Sequence, residues 1–311
     1  MNMDKQAAGR QLASTELREY LVRALTERGA SAVGFAKAVA VSPEAVEFFE
    51  GWLREGYAGA LDYMHAHSEL RRDPRTLLPG ARTVVSVAWN YLPSKLRDAS
   101  LPFVARYAYG RDYHKALRAL IKPICREAGR RFGCGWRICI DSAPIAERYW
   151  AVKAGVGFIG RNGCLIVPGV GSWVFLTEIL LTAEIEPTGP LNYQCEGCDA
   201  CLQNCPTVAL RNDGLVDTRR CLSCSTVEGT PLEARNAGTP HLLGCDRCQE
   251  ICPHNRAAAP SDWLSPRPEI LSISAESLNR MSEEEFRMKF AGTAFMRPGY
   301  RRLIDNINPK G

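Results

Sequence analysis

Two short cysteine-rich stretches decide the architecture of this 311-residue chain. The first is CEGCDACLQNCP at residues 195–206, with the spacing C-x2-C-x2-C-x3-C-P. The second is GCDRCQEICP at residues 244–253, which repeats the last three cysteine positions, while Leu242 stands where the first cysteine would be. With Cys221 and Cys224 between them, these stretches hold nine of the thirteen cysteines. Because the second stretch repeats the spacing of the first with one cysteine missing, the sequence predicts two linked sets of cysteine ligands.

This spacing is that of bacterial two-cluster iron–sulfur proteins, in which three close thiolates bind one 4Fe-4S cluster and the fourth binds the other. Crossing the fourth ligands predicts one cluster on Cys195, Cys198, Cys201 and Cys252, and a second on Cys205, Cys245 and Cys248. Cys221 or Cys224 must supply the eighth ligand. Four-cysteine zinc sites also use C-x2-C pairs, but they seldom need three successive cysteines followed by x3-C-P. The pattern therefore favours clusters over zinc.

Composition is that of an ordinary globular protein, with 46% hydrophobic and 23% charged residues. The N-terminus has no apolar stretch after its charges, so no secretory signal is expected. The most apolar run, residues 172–185, is interrupted by Glu178 and is shorter than the ~20 residues of a spanning helix. We therefore expect a cytoplasmic monomer without membrane attachment, whose cysteines are reduced thiols and metal ligands. The net charge of +5 permits an anionic partner such as RNA.

Residues 30–185 alternate predicted strands and helices around one sheet. Strands are predicted at residues 31–39, 83–92 and 135–141 and on both sides of a glycine-rich loop at 155–163, and a basic helix should be kinked or divided by Pro123. The sequence IDSAPIAERYW reads as strand, turn and helix, which puts Asp141 at a strand end. After residues 188–192 the composition changes abruptly and becomes rich in cysteine. The fold class is α+β, with predicted domains at residues 1–187, 188–262 and 263–311, the last a helical extension.

Two clusters in one small domain form a path for single electrons, which implies an acceptor in the large domain. No G-x-G-x-x-G follows a predicted strand and no G-x4-G-K-[ST] sequence is present, so dinucleotide and nucleotide cofactors lack local support. Four cysteines outside the cluster region have no ligand spacing, and free cysteine is commonly a small buried hydrophobe. We predict that role for Cys125, Cys134, Cys139 and Cys164.

Several ordered motifs make the chain resemble the epoxyqueuosine reductases. They lie at residues 59–93, 105–117, 140–166, 195–210, 219–228 and 244–255. The resemblance implies a nitroreductase-like, cobalamin-binding α/β domain followed by a ferredoxin-like domain with two 4Fe-4S clusters. It implies reduction of epoxyqueuosine to queuosine at the wobble position of a tRNA anticodon stem-loop, with electrons drawn from a separate reductant through the clusters to cobalamin. It also favours Cys221 as the eighth cluster ligand.

The same resemblance implies roles for individual residues. Asp141 matches the family's proton donor, which can serve if burial raises its pKa toward the working pH; the alternative is that Asp141 or Ser142 caps the next helix. The loop at 155–163 is expected to flank the corrin, with Arg161 in a salt bridge or near RNA phosphate. His65 and His67 are expected at the surface. Cofactor contacts are implied for Met64, Arg106, Tyr113, His114, Gly160 and Leu165.

The chain also departs from the family pattern. It has CLSC where the family usually has CLSY or CISY, His254 where tryptophan is usual, and DSAP for the common DTGP. Many members continue into a helical-repeat domain that helps hold tRNA, whereas this chain resembles a short form. Phosphate contacts are then expected from Lys115, Arg118, Arg219 and Arg220.

Two other functions compete with this one. A reductive dehalogenase-like protein joins cobalamin to the same cluster module, but an export signal would accompany it. A non-enzymatic electron carrier would not need the 194 residues that precede Cys195.

Overall fold

The computed structural model describes residues 2–230, 240–261 and 263–308, with side chains from residue 11 onward. The described strands are β1 (Ala32–Lys37), β2 (Thr83–Asn90), β3 (Phe103–Val104), β4 (Trp136–Cys139), β5 (Phe158–Ile159), β6 (Leu165–Ile166), β7 (Val174–Leu181) and β8 (His241–Leu243). The described α-helices are α1 (Asn2–Thr26), α2 (Pro43–Arg54), α3 (Asp62–Ala66), α4 (Tyr113–Phe132), α5 (Glu147–Lys153), α6 (Ala200–Gln203), α7 (Leu222–Glu228), α8 (Arg247–Glu250), α9 (Pro268–Ser272), α10 (Ala275–Arg280), α11 (Glu283–Phe290) and α12 (Gly299–Ile307). Short 3-10 helices occupy Glu69–Arg72, Pro74–Thr76, Arg106–Ala108, Pro253–Asn255 and Ala294–Met296.

A four-stranded sheet forms the centre of the large domain, in the order β1-β2-β7-β4, and every neighbouring pair is antiparallel. All eight residues of β2 are buried, because both faces of the sheet are covered. Val85 and Val87 pack with α1 and α4, whereas Val84 and Ala88 face the second core, which includes α5. This alternation follows from the two-residue period of a strand. The four-stranded sheet with interleaved helices confirms part of the prediction for this region, but β5 and β6 pair with each other in a separate sheet and β3 pairs with β8.

The basic helix α4 runs without interruption from Tyr113 to Phe132, so the predicted division at Pro123 is wrong. Proline removes one backbone hydrogen bond from a helix interior. Here the ring and Ala119, whose carbonyl loses that bond, are both exposed, so water can satisfy the carbonyl. Leu117 and Ile121 on the opposite face are fully buried and hold the helix against the sheet.

The cysteine-rich region consists mainly of short helices and loops that pack between the large domain and the C-terminal helices. β8 pairs in parallel with β3, and the core beneath them includes Leu243, Phe286, Phe290 and Phe295. The predicted helical extension at residues 263–311 contains α11, which begins with a capping box formed by Ser282. The domain boundaries remain predictions. No helix in the described part of the chain is long and apolar enough to cross a membrane.

Candidate redox site: two cysteine cages and a central cavity

The first cysteine cage consists of Cys195, Cys198, Cys201 and Cys252. These four side chains line one small cavity, which is closed by Arg161, Asn162, Ile166, Pro253 and His254. The C-x2-C-x2-C run wraps around the start of α6, and Cys252 approaches from the second cysteine stretch. Phe158 and Ile166 pack against Cys252 from the large domain. The structure thus brings together the four cysteines predicted for one cluster.

The second cysteine cage consists of Cys205, Cys221, Cys245 and Cys248. Burial, followed by the proximity of the other thiols, raises the pKa of Cys221 and takes that of Cys245 to about 12. Cys248 lies near both of these residues. Backbone amides point at the sulfur atoms: Ala209 N lies 3.2 Å from Cys205 Sγ, and Arg247 N–H donates to Cys245. Such N–H···S bonds tune the potentials of iron–sulfur clusters.

Cys224 is turned away from this group. Its Sγ atom lies 3.2 Å from Thr230 Oγ1, and it also interacts with Thr218. Cys221 stands at the start of α7, where the amides of Ser223 and Cys224 donate to its sulfur. This arrangement supports Cys221 as the eighth ligand.

The first cage is arranged around a cavity rather than around a single point. A zinc ion requires its sulfur ligands ~2.3 Å away. The thiols of Cys195, Cys198, Cys201 and Cys252 instead line one small cavity. Among the described residues, no three histidine, cysteine, aspartate or glutamate side chains are arranged to hold one metal ion.

A central cavity of about 240 Å³ lies beside the second cage. It opens between the end of β2, the start of α4, the β4–α5 turn, the loop at 160–165 and α8. Its walls are Tyr91, Tyr113, Asp141, Glu147, Arg148, Gly163, Cys164, Leu165, Ser172, Val174, Phe175, Leu176 and Gln249. One side is therefore aromatic and aliphatic, while the other carries two carboxyl groups and an arginine. A wall of this kind can hold a large, mostly apolar ligand and position a few polar groups against it.

Asp141 is held in the cavity by a chain of hydrogen bonds. Its Oδ2 atom lies 2.9 Å from His114 Nε2, and His114 Nδ1 lies 2.9 Å from Asp112 Oδ1. The backbone of Asp141 has φ of +42°, an uncommon conformation for a residue with a side chain. Strain of this kind concentrates at functional sites. His114 thus fixes an aspartate whose backbone is itself strained.

The pKa of Asp141 shifts in the direction opposite to the expected one, which was a rise caused by burial. Burial acts in that direction, but hydrogen bonds from His114 and Tyr113 and the positive charge of Arg297 outweigh it and lower the pKa of Asp141. The hydrogen bond to Asp141 in turn raises the pKa of His114. Asp141 is therefore ionised near neutral pH, and His114 holds a proton more readily than a free imidazole does. The capping alternative is wrong, because α5 begins at Ala146 without a side-chain cap.

Of the six predicted cofactor contacts, Tyr113 and Leu165 line the cavity. Tyr113 stacks on Phe175 with ring centres 4.0 Å apart, and His114 stacks on its other side at 4.1 Å. His114 therefore stands behind the wall rather than in it. Met64 is half-buried in α3, away from the cavity lining.

Arg106 and Gly160 serve the packing around the cavity. The Arg106 guanidinium pairs with Glu250 at 2.9 Å and lies over the ring of Trp173, which ties α8 to the large domain. A Cβ on Gly160 would come within 2.6 Å of Ile166 Cδ1, so this glycine is required by its own loop.

The loop at residues 160–165 touches all three parts of the site. Arg161 lines the first cage and donates to the carbonyl of Cys198 at 3.3 Å, and among the residues that the structure describes it has no ion-pair partner. Asn162 Nδ2 donates to the carbonyl of Cys248 at 3.3 Å. Cys164 lines the central cavity and shares a hydrogen bond with the thiol of Cys248. Cys164 is thus wrong as a predicted buried hydrophobe, whereas the three cysteines Cys125, Cys134 and Cys139 are buried as predicted.

The cavity also contains groups that the sequence did not single out. Glu147 and Arg148 open α5, and the Arg148 guanidinium donates to the carbonyl of Gly163 at 2.5 Å. Gln249 of α8 lies in the cysteine-rich region. Its side-chain amide oxygen accepts a hydrogen bond from the Ser172 hydroxyl at 3.0 Å. Glu147 and Arg148 lie at the start of the predicted helix that follows the turn after Asp141. This position near Asp141 could have identified them. Gln249 had no comparable signal.

Fold and site together define a redox enzyme, in which a two-cluster iron–sulfur region adjoins a cavity equipped for proton transfer. The family model described as "Epoxyqueuosine reductase QueG, DUF1730" matches residues 71–142, and that described as "4Fe-4S double cluster binding domain" matches residues 194–255. An epoxyqueuosine reductase of Gloeobacter violaceus is 39% identical over 280 residues, which cover 85% of this chain and 86% of the relative. The chain belongs to the epoxyqueuosine reductase family.

Solved structures agree with this membership. A crystal structure of an epoxyqueuosine reductase with an epoxyqueuosine-modified tRNA-Tyr stem loop has a TM-score of 0.85 and 28% identity, covering 94% of this chain and 80% of the other. The Bacillus subtilis enzyme, described with a catalytic aspartate loop swung out of its active site, has a TM-score of 0.78 and 26% identity, covering 94% and 80%.

Proposed function

We propose that this protein reduces epoxyqueuosine to queuosine at the wobble position of tRNA. The observation that carries the proposal is the link, through Cys164, between the second cysteine cage and the central cavity. Cys248 of that cage shares a hydrogen bond with Cys164, and Cys164 lines the same cavity as Asp141. Clusters bound by the cages would therefore supply electrons beside the Asp141–His114 pair. Relatives of this family are named for this reaction, and one is solved with the modified stem loop.

The two cages are the proposed 4Fe-4S sites, with Cys195, Cys198, Cys201 and Cys252 in one and Cys205, Cys221, Cys245 and Cys248 in the other. We place the first cage farther from the central cavity than the second, since its thiols contact the loop at 160–165 but do not line that cavity. The second adjoins the cavity through Cys164. Their order fits electron entry from a separate reductant through the first cage and delivery through the second.

The central cavity is the proposed site for cobalamin, which would supply a low-valent cobalt able to transfer electrons to the epoxide. The donor set fits such a ligand, because Leu165, Phe175 and Leu176 offer an apolar wall and Gly163 leaves the backbone accessible. Tyr113 would contribute its ring to the same wall. Arg106 and His114 would support this wall from behind.

Asp141 and His114 are proposed to act together as the proton source for the opening oxygen. The lowered pKa of Asp141 means that the carboxyl alone is not an acid at neutral pH. His114 instead carries the proton and shares it with Asp141 Oδ2 across 2.9 Å. The imidazolium transfers its proton to Asp141 Oδ2 as the resulting carboxyl group protonates the opening oxygen, which leaves Asp141 ionised and His114 neutral. A positioned proton donor typically accelerates such a step 10²–10⁴-fold.

A basic strip on α4 is the proposed contact with the tRNA backbone, and we define it as Lys115, Arg118, Lys122 and Arg126. These residues recur every three or four positions and are exposed, so they share one face of the helix. The strip begins one residue after His114, which would lead the phosphate backbone toward the cavity. Arg219 is a weaker candidate, because Asp217 already pairs with its guanidinium at 2.8 Å. Arg220 likewise donates to the carbonyl of Thr207.

The test is conversion of the modified nucleoside. Protein reconstituted with iron, sulfide and cobalamin is incubated without oxygen with epoxyqueuosine-containing tRNA and a strong reductant, and the nucleosides are analysed by mass spectrometry. We expect queuosine to form, and we expect no conversion when the reductant is omitted. Absence of queuosine under conditions where the Gloeobacter violaceus relative forms it would overturn the proposal.

A further inference from the structure

The proposed reaction needs a second proton. Epoxyqueuosine differs from queuosine by one bridging oxygen, as its name states. Removing that oxygen breaks two C–O bonds, forms one carbon–carbon double bond and releases water, which takes two electrons and two protons. The Asp141–His114 pair holds one proton, so the cavity must provide another donor if the oxygen is to leave as water.

Glu147 lines the same cavity as Asp141, at the first position of α5. The backbone amide of Asp141 donates to the Glu147 carboxyl, so the two residues belong to one turn and are held at a fixed relation. The nearest arginine in sequence, Arg148, directs its Nη1 atom to the carbonyl of Gly163. Glu147 therefore keeps its carboxyl in the cavity without a dedicated cationic partner from its own helix.

Charged groups from four elements face Glu147. Asp141 from the β4–α5 turn and Glu178 from β7 are acidic neighbours, whereas Arg148 from α5 and Arg71 from the Glu69–Arg72 helix are basic. Tyr113 of α4 lies near it as a neutral phenol. Burial and then the charge of Asp141 outweigh the arginines and raise the pKa of Glu147 to about 7.

Glu178 shapes this environment from inside the sheet. It is fully buried, accepts one hydrogen bond from Ser86 at 3.2 Å, and has a second carboxyl oxygen without a partner. Burial raises its pKa well above the ordinary value. Glu178 therefore stays neutral, and the ionised Asp141 remains the anion that most strongly holds a proton on Glu147.

We propose that Glu147 is a second catalytic acid of this site, which gives the proton that converts the departing epoxide oxygen into water. This inference rests on the proposed function. In the balanced reaction, two electrons from a low-potential reductant enter through the cages, both C–O bonds break, and the oxygen accepts one proton from the Asp141–His114 pair and one from Glu147. Solvent reprotonates both groups after product leaves.

The test compares Glu147→Gln and Glu147→Asp with Glu44→Gln. Glu44 is a matched control, because it is also an acidic residue in the first turn of a helix but lies outside the cavity. Single-turnover rates of queuosine formation are measured across pH in reconstituted protein. The wild-type rate should fall as pH rises through about 7. Glu147→Gln should be slower by about 10²-fold or more and should lose this limb, keeping only the fall in rate that loss of the His114 proton causes.

Glu147→Asp should recover part of the rate with its limb moved, and Glu44→Gln should match the wild type. Infrared difference spectra give a readout without substrate, since a protonated carboxyl band near neutral pH should vanish in Glu147→Gln. A Glu147→Gln protein that keeps both the wild-type rate and the limb overturns the inference. If Glu147→Gln does not fold, an unmoved limb in Glu147→Asp overturns it. If the wild type forms no queuosine, the proposed function fails, and the infrared band still decides whether Glu147 carries a proton.

Discussion

The first cysteine cage and the central cavity meet at the loop at 160–165, yet they are built in different ways. Three of the four thiols in the cage come from seven consecutive residues, Cys195 to Cys201, so local spacing nearly completes it. The cavity draws its walls from residues as far apart as Tyr91 and Gln249. A cluster site can thus be recognised from a short motif, whereas a reaction site is assembled only by folding.

The second cage lies between these two extremes. Its missing first cysteine, at Leu242, leaves a fully buried leucine in β8, and Cys221 supplies a thiol from a different segment. A ligand taken from a distance depends on tertiary packing, as the cavity does. The contrast between Cys221 and Cys224 is therefore the sharpest place to test how much the motif alone determines.

The largest expected effect comes from Cys221→Ser. We expect loss of the second cluster, a fall from about eight irons per chain to about four, and no measurable queuosine formation, since the cavity then lacks its adjacent electron donor. The matched variant Cys224→Ser should keep both clusters, because its thiol faces Thr230. Iron analysis and electron paramagnetic resonance of the reduced proteins are the measurements. Iron loss in Cys224→Ser alone would reverse the assignment.

A smaller but still large effect is expected for Asp141→Asn. The amide cannot relay a proton from His114, so queuosine formation should slow by about 10²–10⁴-fold. Both clusters should remain, because Asp141 contacts neither cage. Single-turnover kinetics with iron content as the internal control would check this. An unchanged rate would show that the Asp141–His114 pair takes no part in the reaction. It would also mean that the cages and this part of the cavity do not act in the same reaction.

The basic strip on α4 should contribute affinity rather than chemistry. Changing Lys115, Arg118, Lys122 and Arg126 together to glutamine should weaken tRNA binding and reduce the slope of log affinity against log salt by roughly 3, at ~0.7 to 0.9 per lost phosphate contact. The control is Arg130→Gln, whose guanidinium is already paired with Glu127 at 2.7 Å. Binding is measured by fluorescence anisotropy at several salt concentrations. Equal slopes for the fourfold variant and the wild type would contradict the proposed contact.

The smallest expected effect is the pH dependence of the stability that the Asp141–His114 pair contributes to the folded protein. The pKa of His114 is raised, so its contribution is complete below the ordinary value of 6.5 and is lost as pH rises through the folded value. The pKa of Asp141 is lowered, so its contribution is complete above the ordinary value of 3.8 and is lost as pH falls through the folded value. Stabilisation should therefore be greatest between those two ordinary values. Because the Asp141 side chain is half exposed to the cavity, we expect no more than ~1 kcal/mol.

Thermal unfolding of the wild type and His114→Gln across pH would measure this contribution. The difference between the two proteins should be largest in that window and should shrink on both sides of it. A difference that does not vary with pH would mean that the pair is held by packing, with no role for its shared proton.

Much of the architecture could be predicted from local pattern. The strand β2 follows from its β-rich composition, α4 appears as the predicted basic helix, and the strand, turn and helix around Asp141 appear where expected. The continuity of α4 through Pro123 could not be predicted, since it depends on the exposure of the proline and on packing of the opposite face. Cys164 was misjudged for a related reason: its contact with Cys248 crosses 84 positions of sequence and has no local signal.

The sequence by itself determined which cysteines have the spacing of cluster ligands, because that spacing is a local property of the chain, and the family resemblance indicated Asp141 as the proposed acid at the end of a strand. Only the tertiary structure decided the protonation of that acid, the turning of Cys224 away from the second cage, and the presence of Glu147 in the same cavity. The physical reason is that pKa values and thiol contacts depend on burial and on neighbours from distant segments, and those neighbours exist only after the sheet, the cages and the loop at 160–165 have packed together.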